Sequence, residues 1–365
     1  MNVESKFLAK EEQIYYALQE LYQKNGYRKF KMRKFEEYSL YLENKNFLMS
    51  ENVITFNDPS GKLLALRPDV TLSIVKNAKA TEKNLEKVYY SENVYRLDRH
   101  SKEFREISQI GLEYIGEVDL VSTVEIALLA IKSLDYIDSK FIFTMSHIGF
   151  ISGLIDSLEL TSEKAKQKVA LCLQQKNAHD LMEVATKYNI SNEKIDRVAK
   201  IASSDSSFEN ALALAKSLVC NEQMANGVLE LENIYFVLKE TKFVDKLRLD
   251  FSIINDINYY NGVIFQGFID KCPRVILSGG RYDLLLKQSN ENIGAMGFAL
   301  SLQDLANLFS QSNEVVDVDT VLLYNNDSDI TKIMERAELL RSEGQKVLVV
   351  KSLPTDIKYN KVENI

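Results

Sequence analysis

The chain has 365 residues, enough to bury a full core divided among two or three domains. Hydrophobic residues make up 45% and charged residues 27%, while Gly (14) and Pro (4) are scarce, which excludes a collagen-like, Pro-rich or extensively disordered chain. A formal net charge of −7 argues against a surface built mainly to neutralise nucleic-acid phosphates. Cys172, Cys220 and Cys272 are far apart in sequence, so they suggest neither a disulfide framework nor a CxxC metal knuckle, and a reducing cytoplasm fits. The acidic start is not a secretory signal, and no apolar run approaches the roughly 20 residues of a membrane span.

In chain order, Ile14, Leu18, Leu21 and Tyr22 recur at helical spacing and Gly26 stops the segment, predicting an amphipathic helix over about 9–25. Short apolar runs then alternate with polar ones over 30–65, and Asn57, Asp58, Pro59, Ser60 and Gly61 mark a turn between two strands. Residues 66–71 lead into another helix. Segments 87–95 and 107–116 read as antiparallel strands joined by a polar loop over 96–106, followed by a helix over 119–136 and a strand over 141–148. Over 149–242 helix formers alternate with Ser-, Asn- and Asp-rich breaks, which reads as a helical insertion. Strand texture returns at 247–254, 263–269 and 275–278, closing with Gly279 and Gly280. The last 56 residues, after Phe309, read as a strand over 320–324, a helix over 329–342 ended by Gly344, and a strand over 346–351, a small βαβ unit.

Four segments carry chemistry, and each alone has a structural reading. In LRPDVT, Asp69 and Thr71 follow a Pro-fixed turn and are well placed to cap the next helix. Arg96, Arg99 and Arg105 cluster near a loop, and Gln109, Gly111 and Glu113 share one face of the following strand. That face is either solvated or the floor of a ligand site. Tyr259 and Tyr260 in NDINYYNG suit packing as well as binding. SGGRYD either turns tightly or lets backbone approach a ligand. His100, His147 and His179 lack metal-ligand spacing and read as loop, core-edge and helix-surface residues, so no metal and no cofactor is expected.

The order LRPDVT, arginine-bearing hairpin ending in QIGLEYIG, INYYNG, GGRYD and GFALSLQDL resembles the class II histidyl-tRNA synthetase family across about 300 residues. The resemblance implies an α+β fold: a class II aminoacyl-tRNA synthetase-like antiparallel sheet flanked by helices, with a helical insertion and a small C-terminal βαβ unit. The expected parts are a core over 1–148 and 242–310, the insertion over 149–241 and a truncated α/β unit over 316–365. It also implies a dimer of synthetase-like cores and a histidine pocket formed by Asp69, Thr71, Gln109, Glu113, Tyr259 and Tyr260. Arg96 matches the second-motif arginine, a possible contact for phosphate or carboxylate.

The adenylation set does not carry over. The family's arginine before the tyrosine pair becomes Asn255, the third-motif arginine becomes Asp304, and the first-motif proline becomes Arg33. Adenylation needs cations opposite developing phosphate charge, so a carboxylate there counts against it. The short C-terminal unit also implies no tRNA reading. A core of this kind without synthetase chemistry is similar to the regulatory subunits of short-form ATP phosphoribosyltransferase. That resemblance implies a non-catalytic cytoplasmic protein that activates the short-form catalytic subunit in histidine biosynthesis and senses histidine, with no nucleic-acid or membrane partner. The alternative is a divergent active histidyl-tRNA synthetase. A kinase-linked sensor would need further domains.

Overall fold

A computed structural model describes residues 8, 10–44, 52–78, 80, 84–98, 101–204, 207–254, 259–270, 272–286, 293–305 and 316–365. The chain divides into two compact units, 1–306 and 307–365.

The first unit opens with α1 (Lys10–Lys24), which buries Ile14, Leu18 and Tyr22, and Gly26 beyond it takes φ +85°, a conformation that a Cβ disfavours. There follow β1 (Arg28–Lys29), β2 (Phe35–Glu37), α2 (Tyr38–Glu43), β3 (Thr55–Asn57), β4 (Leu63–Leu66) and α3 (Thr71–Asn77). The predicted turn at 57–61 is real: Asp58 accepts from the backbone N–H groups of Ser60 and Lys62, and β3 and β4 pair antiparallel. With β2 they make a small three-stranded sheet.

Next come β5 (Glu86–Leu97), β6 (Phe104–Gly116), α4 (Leu120–Ile137) and β7 (Phe141–His147). The hairpin is longer than its apolar pattern suggests, because Arg96 pairs with Arg105 and Leu97 with Phe104, which leaves only a short loop. Arg96 is therefore a strand residue. Asp119 and Ser122 form a reciprocal capping box that starts α4.

The helical stretch consists of α5 (Ile148–Asp156), α6 (Glu163–Gln174), α7 (Ala178–Tyr188), α8 (Asn192–Ala202), α9 (Phe208–Ser217) and α10 (Glu222–Leu238). Strand β8 (Leu247–Leu249) follows, and the extended run expected to Ile254 instead turns after Leu249, where Asp250 accepts from Ser252 N. Then come β9 (Val263–Ile269), β10 (Leu277–Arg281) and β11 (Gly294–Ser301). Gly279 and Gly280 lie inside β10 rather than closing it.

The main sheet runs β1-β5-β6-β11-β10-β9-β7-β8, antiparallel except for the β1/β5 and β7/β8 pairs. Side chains alternate across it, so the face bearing Phe298 takes the helices. Tyr22 of α1 stacks edge-on against Phe298 and hydrogen-bonds Ser133 of α4 at 3.0 Å. The opposite face carries Glu113, Gly297 and their neighbours.

The second unit contains β12 (Val318–Leu323), α11 (Ile330–Ser342), β13 (Val347–Val350) and β14 (Tyr359–Asn364). Its three strands are parallel in the order β13-β12-β14, so the expected βαβ unit carries one additional strand. Leu322, Ala337 and Leu340 form its core.

Candidate functional site

Registry places Gln109, Gly111 and Glu113 of β6 beside Ser301, Ala299 and Gly297 of β11, all facing away from α1 and α4. Over this floor lies a cleft with an empty volume of about 550 Å³, its open mouth included. All seven residues expected from the sequence line it: Asp69, Thr71, Arg96, Gln109, Glu113, Tyr259 and Tyr260. Ser278 and Tyr282 of the SGGRYD segment line it too, as does Tyr90, which has no signal in the sequence.

Small residues make the floor deep. A Cβ at Gly297 would lie 1.8 Å from Glu113 Oε2, and one at Gly111 would lie 2.6 Å from the Tyr90 hydroxyl. Neither position can carry a side chain while those neighbours stay in place.

Glu113 is 2% exposed. Its Oε1 accepts from Thr71 Oγ1 at 2.8 Å, and its Oε2 accepts from the Tyr282 hydroxyl. Burial pushes its carboxyl up to about 8, with Asp69 adding to the rise and the two hydroxyls opposing it. At neutral pH this acid is therefore largely protonated.

Asp69 makes the cap that its sequence position allowed and also faces Arg96. Its Oδ1 accepts from Leu72 N at 3.0 Å, capping the start of α3, while its Oδ2 lies 3.4 Å from Arg96 Nη2. Arg96 Nε also donates to Pro68 O at 2.7 Å, so the arginine is braced against the LRP turn. Among the described residues lining the cleft, Arg96 is the only cation. The preceding Arg67 points elsewhere and is fully buried, donating to Arg33 O, Asn93 O and Glu92.

An aromatic wall closes one side. Tyr259 meets Tyr260 edge-on at 4.7 Å between ring centres and Tyr282 at 5.7 Å. Burial raises the phenols of Tyr90, Tyr259 and Tyr282 well above their ordinary range, so all three remain neutral hydrogen-bonding groups. Two acids, one guanidinium and several hydroxyls around apolar rings suit a small zwitterion carrying a polar ring.

The residues replacing the synthetase arginines fare differently. Asp304 lies just past β11 and pairs with Arg274 at 3.3 Å. Asn255 and Arg99 lie outside the described residues, as does His100. His179 is on the exposed side of α7, whereas His147 is buried at the junction of β7 and α5, where its Nδ1 accepts from Phe150 N and its Nε2 meets Glu230 at 2.8 Å. Among the described residues no group of three His, Cys, Asp or Glu is arranged to hold a metal ion, and no helix is long and apolar enough to cross a membrane.

A family model described as histidyl-tRNA synthetase matches residues 2–305. An ATP phosphoribosyltransferase regulatory subunit from Thermoanaerobacter pseudethanolicus is 31% identical over 349 residues, covering 94% of this chain and 90% of that protein. The crystal structure of an ATP phosphoribosyltransferase regulatory subunit/histidyl-tRNA synthetase from Bacillus halodurans superposes with a TM-score of 0.80 at 23% identity, covering 97% and 93% of the two chains. A chain of the ATP phosphoribosyl transferase (HisG:HisZ) complex from Thermotoga maritima superposes with a TM-score of 0.64 at 20% identity, covering 81% and 98%. The two superpositions show a shared fold.

Proposed function

The chain belongs to the family of ATP phosphoribosyltransferase regulatory subunits, built on a histidyl-tRNA synthetase domain, and we propose that it activates a short-form catalytic subunit and binds histidine as the feedback signal. The observation that carries the histidine reading is the convergence of Asp69, Glu113, Gln109 and the tyrosine wall on one cleft. The ligand's ammonium finds Glu113 and Asp69, its carboxylate finds Arg96, and its imidazole lies against Gln109, Tyr259 and Tyr260. The ammonium also offsets the cost of burying an ionised Glu113.

The chain has no synthetase activity of its own in this reading. Asp304 stands where the resemblance expects an arginine, and its carboxylate is engaged by Arg274. A catalytic partner is supported by the names of the relatives and by the Thermotoga maritima neighbour, which is described as a two-protein complex. Self-association as a dimer of synthetase-like cores and a cytoplasmic location complete the proposal.

The deciding experiment is co-purification with a short-form catalytic subunit, followed by phosphoribosyl transfer assays with and without this chain and with added L-histidine. A larger hetero-oligomer, a higher rate in the complex and histidine inhibition are expected. Separate elution with an unchanged rate rejects the regulatory role. The synthetase description of the family model favours one other reading, a divergent active enzyme, which histidine-dependent ATP–pyrophosphate exchange by the chain alone would establish.

A further inference from the structure

Behind the aromatic wall lies a junction that touches none of the cleft. Asn261 directly follows Tyr259 and Tyr260, and Asp283 directly follows Tyr282. Their side chains and backbone exchange two hydrogen bonds: Asn261 Nδ2 donates to Asp283 Oδ2 at 2.9 Å, and Asp283 N donates to Asn261 Oδ1 at 2.8 Å. The backbone adds a third tie, with Asn261 N donating to Arg281 O at 3.0 Å.

The Asp283 carboxylate is saturated. Its Oδ2 also accepts from Arg281 Nε at 2.8 Å, and its Oδ1 accepts from Ala295 N at 2.9 Å, at the start of β11. One aspartate thus joins the segment bearing Tyr259 and Tyr260, the end of β10 just before Tyr282, and the strand bearing Gly297. The junction is full: a Cβ at Gly294 would lie 2.9 Å from Asp283 Oδ1, and one at Gly262 would lie 3.0 Å from Arg281 Cδ. Arg281 balances the charge, so the clamp leaves no isolated buried ion.

We propose that Asn261 and Asp283 are positioning residues of the pocket: their reciprocal hydrogen bonds set the spacing of the three-tyrosine wall and so determine how well the cleft grips its ligand's ring. The proposal rests on the reading of the cleft as a histidine site. A phenol that must meet a ligand ring edge tolerates about half an ångström of error, and a wall carried on two separate chain segments needs a tie to keep that tolerance.

The test uses the full chain and near-isosteric exchanges. Asn261→Asp removes the amide donor and sets one carboxylate against another. Asn261→Leu, of similar size, removes the donor without adding a charge. By calorimetric titration with L-histidine, Asn261→Asp is expected to bind about tenfold more weakly or worse, from the loss of a hydrogen bond and the repulsion that replaces it. Asn261→Leu is expected to weaken binding at least about threefold, from the loss of both side-chain hydrogen bonds without repulsion. Amide exchange should rise at 259–262 and 281–286 in both variants, while β5 and β6 keep their protection, which a general loss of stability would not spare. Unchanged affinity and exchange in either variant overturns the proposal. If wild type does not bind L-histidine at millimolar concentration, the ligand reading fails, and the exchange data alone decide whether the pair positions the wall.

Discussion

The Tyr282 hydroxyl donates to Glu113 Oε2 across 169 residues of sequence, joining the residue just past β10 to the C-terminal part of β6. Between those strands runs β11, and the contact is possible only because Gly297 leaves the space above it open. A hydroxyl donor from each side, Tyr282 and Thr71, holds the acid in a single orientation before any ligand arrives.

Glu113 makes stability depend on pH in a definite direction. Its carboxyl is raised from 4.5 to about 8 in the folded chain, so the native state binds more protons than the unfolded state between those values. Its contribution is complete below pH about 4.5 and is lost as pH rises through about 8. Glu113→Gln should flatten this part of the profile in urea unfolding measured across that window. Parallel profiles for the two proteins would contradict the assignment.

The same acid should report ligand entry as a proton. An ammonium beside Glu113 favours its ionised form, so histidine binding near neutral pH should expel a proton into the buffer. The calorimetric enthalpy is then expected to differ between phosphate and Tris in wild type and to lose that difference in Glu113→Gln. Binding that is equally buffer-independent in both proteins would separate the ligand from this carboxylate.

Gly297→Ala tests the floor. The new methyl would overlap Glu113 Oε2, so either the acid or β11 must move, at a cost of about 3 kcal/mol of stability with loss of histidine binding. Chemical denaturation and titration read the two effects separately. Wild-type affinity in this variant is incompatible with the floor as described.

The purified chain is expected to show no histidine-dependent ATP–pyrophosphate exchange and no aminoacylation of tRNA. Asp304→Arg should not restore exchange, because Arg274 would then face a second cation in place of its present partner, and the neighbouring groups are not arranged for phosphate. Turnover above a heat-killed control refutes this.

Much of this architecture was legible because its periodicity is strong. Ile14, Leu18 and Tyr22 mark α1, and β9 has the predicted bounds, since β-branched and aromatic residues dominate it between Gly262 and Asp270. Strand β11 carried no such signal: GAMGFALS is rich in small residues because the floor must be open, and a strand built that way has no alternation to read. Strand β14 is mostly polar, and its pairing with β12 is what makes it a strand. The polar ends of β5 and β6 read as loop from the sequence because charged residues on an exposed hairpin resemble a turn.

The site was legible by motif and not by chemistry alone. Asp69 followed by a helix predicts a cap, which is present, but its second partner, Arg96, comes from another strand that only the fold brings near. Inside GGRYD the glycines carry the local signal and Tyr282 carries none of its own. Its adjacency to Asp283 gives no hint that its hydroxyl meets Glu113 on a distant strand.

Strands β7 and β8 are parallel neighbours, and parallel neighbours cannot be closed by a hairpin. The chain must travel back along the sheet before β8 can begin, so the helices between them are obligatory connection as much as added domain. The departure has no slack, because His147 is at once the last residue of β7 and the N-cap of α5. The return is fixed by α10, whose Gly227 lets the helix sit against the His147 ring. Insertions and deletions should therefore be tolerated best within the excursion from α6 to α9, while its two supporting helices are held to the geometry of a strand pair that they serve to join.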